Sequence, residues 1–168
     1  MTAPLNWYAL YVRSRHEFVA QEELRRKGID VYLPSVKRMS RWKDRKKCIE
    51  SPIFPGYLFV FLQAYQEAFL AALRTRGAVS LLSLQPGFPT PVPSEEIESL
   101  KLLLENGDDF DICPSLQAGS RVRVSRGPLK GAIGSIVSKE EHYMFLVNID
   151  ILGRSVGVRI SADDIESD

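Results

Sequence analysis

The chain has 168 residues, 45% of them hydrophobic and 26% charged, the make-up of an ordinary folded protein of one or two domains, which excludes a disordered tail. Its longest strongly apolar stretches, such as YLFVFL at 57–62, fall far short of the roughly 20 residues that span a bilayer, and MTAPLNW at the start lacks the basic-then-apolar pattern of a leader, so a cytoplasmic protein without membrane contact is expected. The net charge of +1 hides an asymmetry, with 15 Lys and Arg against 11 Asp and Glu in residues 1–105 and 7 against 10 in 106–168, which points to two modules with different partners, one of them polyanionic.

WYALYV at 7–12 has the length and the aromatic and β-branched content of a strand. Ser14 and Glu17 then have capping-box spacing, so a helix is predicted through RHEFVAQEELRRK, with Ala20 and Leu24 on its buried face and Gly28 as its stop. DVYLPSVKRM resumes extended structure, KRMSRWKDRKK interrupts it, and SPIFPGYLFVFL returns as a buried strand, which makes the basic stretch the tip of a long hairpin. A second helix fits 66–75, with Phe69, Ala72 and Leu73 on one face, and AVSLLSL after Gly77 is a strand. A third helix follows Pro93-Ser94, with Ile97, Leu100 and Leu104 on its apolar stripe and Gly107 as its stop. This interleaving predicts an α+β sandwich over 1–106, a sheet covered by helices.

GDDFDICPSLQA, within 107–118, lacks periodicity and carries Gly, Pro and three acids, so it reads as a linker. The remainder, 119–168, is a series of short strands in which Tyr143, Phe145, Val147 and Ile149 alternate strictly, as do Val156, Val158 and Ile160; a small closed β-barrel is predicted, not a helical hairpin. Glycines inside RVRVSRGPLKGAIGSIV would weaken a flat strand, but a small barrel needs them. Gly127 with Pro128 suits the turn, Gly131 the re-entry, and Gly134 a kink or close crossing.

VRVSRGPLKGAIGSIV is similar to the KOW motif of small SH3-like barrels. WYALYV, the helix with RHE, the basic hairpin and FPGYLFV, in that order, resemble the N-terminal domain of the NusG family, so the resemblance covers nearly the whole chain. It implies a transcription elongation or antitermination factor, not an enzyme and without cofactors, that acts as a monomer. Its N-terminal domain would dock on the clamp helices of RNA polymerase and suppress pausing, while its KOW barrel recruits a small-subunit ribosomal protein or a termination factor. SRHEFVAQEELRRKGIDVYLP and RWKDRKK resemble the specialised paralogs of the RfaH type, although their His-Thr-Thr-Thr patch is replaced by AFLA at 68–71. Housekeeping NusG and a KOW-type RNA-binding protein of translation are the alternatives; the second asks for a basic barrel half, and this half is net negative.

The resemblance places Tyr11, Phe54 and Phe59 in the polymerase-facing apolar pocket; from the residues alone, such rings suit a sheet core as well as an interface. Arg41, Lys43, Arg45, Lys46 and Lys47 on the hairpin suit phosphates and Trp42 suits an unpaired base, unless the run is simply a solvated face. The family implies upstream DNA as the target, and for Arg13, Arg15 and His16, at the strand-to-helix junction, non-template DNA. Ile151, Leu152 and Arg154 match the partner loop of the KOW barrel, or else flank an ordinary turn at Gly153. His16 and His142 lie in no catalytic or metal spacing, and Cys48 and Cys113 lack paired spacing, so neither an active site nor a metal is expected.

Overall fold

The computed structural model describes residues 3–42, 45–106, 110–114, 119–139 and 142–168, with backbone only at 38–42, 45–47, 113–114 and 139. It falls into two units, 1–91 and 92–168. The first unit contains β1 (Leu5–Val12), α1 (Glu17–Arg26), β2 (Asp30–Tyr32), β3 (Ser35–Trp42), β4 (Arg45–Pro52), β5 (Tyr57–Gln63), α2 (Gln66–Leu73) and β6 (Ala78–Leu81). Four of these strands form an antiparallel sheet in the order β2-β5-β1-β6.

Alternation along the two central strands decides which face is covered. Tyr8, Leu10 and Val12 of β1, with Leu58, Val60 and Leu62 of β5, pack into one core with Ala20 and Leu24 of α1 and Ala72 of α2. Full burial of each large apolar side chain there stabilises the unit by about 1.5–3 kcal/mol. The expected hairpin forms a separate two-stranded ribbon, β3 with β4, in register from Ser35 opposite Pro52 to Trp42 opposite Arg45. The capping box does not form. His16 is the N-cap of α1 and no side chain caps it; the buried carboxylate of Glu17 instead accepts a hydrogen bond from Gly56 N, 3.2 Å away.

The second unit contains α3 (Ser94–Asn106), β7 (Asp111–Pro114), β8 (Ser120–Val124), β9 (Ile133–Lys139), β10 (His142–Ile149), β11 (Arg154–Ile160) and β12 (Ile165–Ser167). Its strands make a six-stranded sheet in the order β12-β8-β9-β10-β11-β7, so this half is β-rich. Two boundaries differ from expectation. Residues 111–114, read as linker, form a strand on β11, with Ile112 opposite Val156; four residues are too few to show a period. And α3, expected in the N-terminal domain, divides with the second unit, where it packs against β9 and β10. Gly134 has ordinary φ but sits at a close crossing. A Cβ there would overlap the carbonyl oxygen of Leu146 and lie 3.0 Å from two ring carbons of Phe145.

Candidate functional site

The sheet face opposite α1 and α2 is aromatic. In an antiparallel pair, residues directly opposite share a face, and here Tyr11 lies opposite Tyr57, Ala9 opposite Phe59, Trp7 opposite Phe61 and Tyr32 opposite Phe59. Ring centroids are 5.0 Å apart for Trp7 and Phe61, 5.3 Å for Tyr11 and Tyr57, and 6.5 Å for Tyr32 and Phe59. Such spacings are favourable for aromatic pairs. Tyr11 is 39% exposed, Phe54 and Phe59 are fully buried, and Tyr32, Tyr57 and Phe61 are half-buried. Of the three expected contact residues, therefore, Tyr11 alone presents its ring to solvent. Trp7, Tyr32, Tyr57 and Phe61 had not been singled out, although for the two central strands the signal was present: aromatic residues recur at every second position in YLFVF, and Trp7 and Tyr11 fall on one alternation of WYALY with Ala9 between them.

The turn 54–57 gathers the end of this face. Tyr57 N donates to Phe54 O at 3.0 Å, Val12 N donates to Gly56 O at 2.8 Å, and Glu17 holds Gly56 N. A Cβ at Gly56 would lie 3.3 Å from the Tyr11 ring, so the ring rests on the bare backbone of that turn. The same junction carries Arg13, Arg15 and His16. Arg13 N donates to Gly77 O at 2.8 Å and His16 N to Arg13 O at 3.0 Å, and His16 Nδ1 lies 2.9 Å from Ser14 O. This tight turn is closed by Arg15 at φ 66°, the one non-glycine residue with positive φ among the described residues. A side chain in this region costs about 1–2 kcal/mol. Arg13 and Arg15 are exposed, and neither has a carboxylate partner among the described residues.

The ribbon adds a second basic element. Its register sets Arg41 opposite Lys46 and Ser40 opposite Lys47, and like charges directly opposite destabilise a strand pair unless a counter-charge is near. Strand alternation puts Trp42, Arg45, Lys47 and Arg38 at positions on one face and Arg41, Lys46 and Lys37 on the other. Eight residues of strand reach about 26 Å at roughly 3.3 Å each. Lys43 lies outside the described residues.

In the second unit, Asp150–Leu152 forms a 3-10 turn that ends at Gly153, φ 62°, and Arg154 opens β11 opposite Ile149. Ile151, Leu152 and Arg154 are half-buried. The turn sits beside a polar strip in which Asn148 Nδ2 donates to Ser135 Oγ at 3.2 Å and Ser155 Oγ donates to Asn148 Oδ1. Among the described residues no group of three His, Cys, Asp or Glu is placed to hold a metal, and no helix is long and apolar enough to cross a membrane.

A family model described as "Transcription termination factor nusG" matches residues 5–101. The chain belongs to the NusG family. It is similar to the transcription termination/antitermination protein NusG of Borreliella burgdorferi, with 24% identity over 95% of this chain and 97% of that protein. It is likewise similar to that of Chlamydia trachomatis, with 27% identity over 95% and 91%. Among solved structures, one described as "Domain interaction in Thermotoga maritima NusG" shares the fold, with a TM-score of 0.51, 21% identity and coverage of 98% of this chain and 97% of that one. The chain is thus a NusG-like transcription termination/antitermination factor and not an enzyme. These relatives carry the NusG name itself, and none supports the expectation of an RfaH-type paralog. At 68–71, where that type carries polar residues, Ala68 and Phe69 pack against the apolar core.

Proposed function

We propose that the aromatic sheet face, entered at Tyr11 and Tyr57, is the surface by which this NusG-family chain holds RNA polymerase at its clamp helices, suppressing pausing and termination. What supports the reading is that two central strands place Trp7, Tyr11, Tyr57, Phe59 and Phe61 on the face that α1 and α2 leave alone. Aromatic anchors around a buried centre are the usual energetic core of a protein interface. In this reading Tyr11 and Tyr57 make the contact, while Phe54 and Phe59 stiffen it from beneath.

The basic elements complete the engagement. Arg13 and Arg15, projected by a strained turn, and His16 behind them take the non-template strand near the bubble, and the ribbon reaches along upstream DNA. Opposed Arg41 and Lys46 lose their mutual repulsion when phosphates neutralise them, and Trp42 stacks on an unpaired base. The C-terminal sheet acts as a KOW barrel, with Ile151, Leu152 and Arg154 recruiting a ribosomal protein or a termination factor. The test is a pull-down of core polymerase with a paired pausing assay. Tyr11→Ala with Tyr57→Ala abolishes capture and pause suppression in a folded protein; retention of both by the folded variant rejects the docking surface. A general factor and an operon-specific paralog share this chemistry and part on depletion, which alters pausing across the genome for the first and at one operon for the second.

A further inference from the structure

Two loops of the second unit are fastened to each other at the end of the sheet far from the 150–154 turn. Between β8 and β9 the chain turns at Gly127, φ 84°, and Gly131 N donates back to Val124 O at 2.9 Å. The 3-10 turn Ala162–Asp164 lies beside it, because Ser125 N and Ser125 Oγ both donate to Asp164 O, at 2.7 and 3.1 Å. These bonds fix the walls of a cavity of about 350 Å³, a size at the small end of ligand pockets. β11 spans seven residues from Arg154 to Ile160. The cavity, lined by Arg159 and Ile160, therefore lies about 20 Å from the 150–154 turn at roughly 3.3 Å per residue.

The chemistry of this cavity is mixed. Val124, Leu129 and Val158 make a buried apolar floor, and Arg126 and Arg159 stand exposed at the rim. Neither arginine has a carboxylate within ion-pair distance among the described residues, and Asp164, which also lines the cavity, has no cation there. The neutral polar groups are already engaged: Asn106 Nδ2 donates to Leu102 O at 3.1 Å, and Ser161 Oγ accepts from Asp163 N at 3.4 Å. Two guanidiniums and one carboxylate leave a single positive charge above an apolar floor. That charge matches one carboxylate, which arginine forks hold through paired hydrogen bonds, and it leaves Asp164 to accept an N–H beside it. A phosphate monoester, at about −1.5 to −2, overfills the site against Asp164, and a nucleic-acid strand brings further phosphates onto exposed Asp163. The half of the chain that carries the cavity, with 7 Lys and Arg against 10 Asp and Glu in 106–168, repels a polyanion. An apolar side chain, a carboxylate and an N–H come together in one residue only at the end of a peptide.

We propose that this cavity is a second docking site of the C-terminal unit and takes the free C-terminal residue of a partner protein. The carboxylate sits between Arg126 and Arg159, an apolar side chain covers Val124, Leu129 and Val158, and the peptide N–H turns toward Asp164. Because the site is separate from the 150–154 turn, the unit holds a partner here whether or not that turn is occupied. The probes are two acetylated hexapeptides, ending in leucine or phenylalanine with a free carboxylate, titrated into the full-length chain and followed through its amide signals. The amidated form of each and a single-stranded RNA hexamer run alongside. A free-acid peptide shifts the amides of Val124, Arg126, Leu129 and Arg159 saturably and leaves those of Ile151 and Leu152 in place. Amidation weakens binding at least about tenfold, since the paired hydrogen bonds to the arginines go with the charge. Arg126→Ala with Arg159→Ala weakens it likewise in a chain whose spectrum shows it folded. Equal binding of acid and amide, or no shift by either acid at about 1 mM, rejects the proposal; this comparison in the parent chain decides without any variant. Unchanged affinity in the folded double variant rejects it too. RNA that shifts these amides where the peptides do not makes the cavity a nucleic-acid site, and free acids that shift only Ile151 and Leu152 assign the terminus to the turn; either result overturns the second docking site.

Discussion

Replacing Gly134 by alanine isolates the packing demand of the C-terminal sheet. The new methyl would overlap the carbonyl oxygen of Leu146 and lie 3.0 Å from two carbons of the Phe145 ring. The ring is fully buried and the carbonyl belongs to a strand bonded on both sides, so neither neighbour yields cheaply. Overpacking of this kind costs about 1–3 kcal/mol, and a clash with backbone belongs at about 3. At about 4–8 °C per kcal/mol for a unit of 60–100 residues, the melting temperature of the second unit falls by roughly 12 °C or more. Thermal melts followed through the amide signals of β9 and β10 measure it. Gly127→Ala is the control. Its φ of +84° is unfavourable for alanine, but a Cβ there meets nothing within 4 Å, so the loss is about 1 kcal/mol. If Gly134→Ala melts within a few degrees of the parent, or no lower than Gly127→Ala, the close-crossing argument is wrong.

Glu17→Ala strands the buried N–H of Gly56 and is expected to lower unfolding free energy by about 1–3 kcal/mol, measured by urea denaturation. Arg41→Ala with Lys46→Ala reduces the slope of log affinity against log salt for duplex DNA by about 2, roughly one phosphate per residue; an unchanged slope in a salt titration removes the ribbon from the DNA contact. The pKa of Glu96, raised by burial to about 7 against an ordinary 4.5, makes the folded second unit bind more protons than the unfolded chain. The contribution of this group to the stability of that unit is therefore greatest below about pH 4.5, falls as pH rises through 7, and then levels off. Unfolding free energy from urea denaturation of the parent falls over that window relative to Glu96→Gln; a difference between the two that does not change with pH contradicts it.

Much of this architecture was legible because alternation is a local signal. Tyr8, Leu10 and Val12 against Trp7, Ala9 and Tyr11 announce a two-faced strand, and the Ile97–Leu100 stripe announces a helix. What one stretch cannot announce is where its groups find partners. The Ser14–Glu17 spacing promised a local cap, yet the carboxylate went to Gly56, 39 positions away, because that turn needed an acceptor. Met144 and Leu146 look incidental between Tyr143, Phe145 and Val147, yet both are buried and both reach over Gly157 of the neighbouring strand. β7 pairs with β11 along four residues that also read as linker. Tyr11 and Phe59 lie on β1 and β5 and Phe54 in the turn between β4 and β5, but Phe54 and Phe59 lie beneath the surface that Tyr11 and Tyr57 present, a distinction that depends on depth and not on pattern.

The most direct test of the aromatic face measures binding of purified core polymerase to the full-length chain and to its Tyr11→Ala, Tyr57→Ala variant, with the fold of each verified by its amide spectrum. Loss of these two anchors is expected to weaken binding at least 100-fold, at about 1.4 kcal/mol for each factor of ten. An affinity unchanged within threefold in a folded variant would mean that the polymerase is held elsewhere.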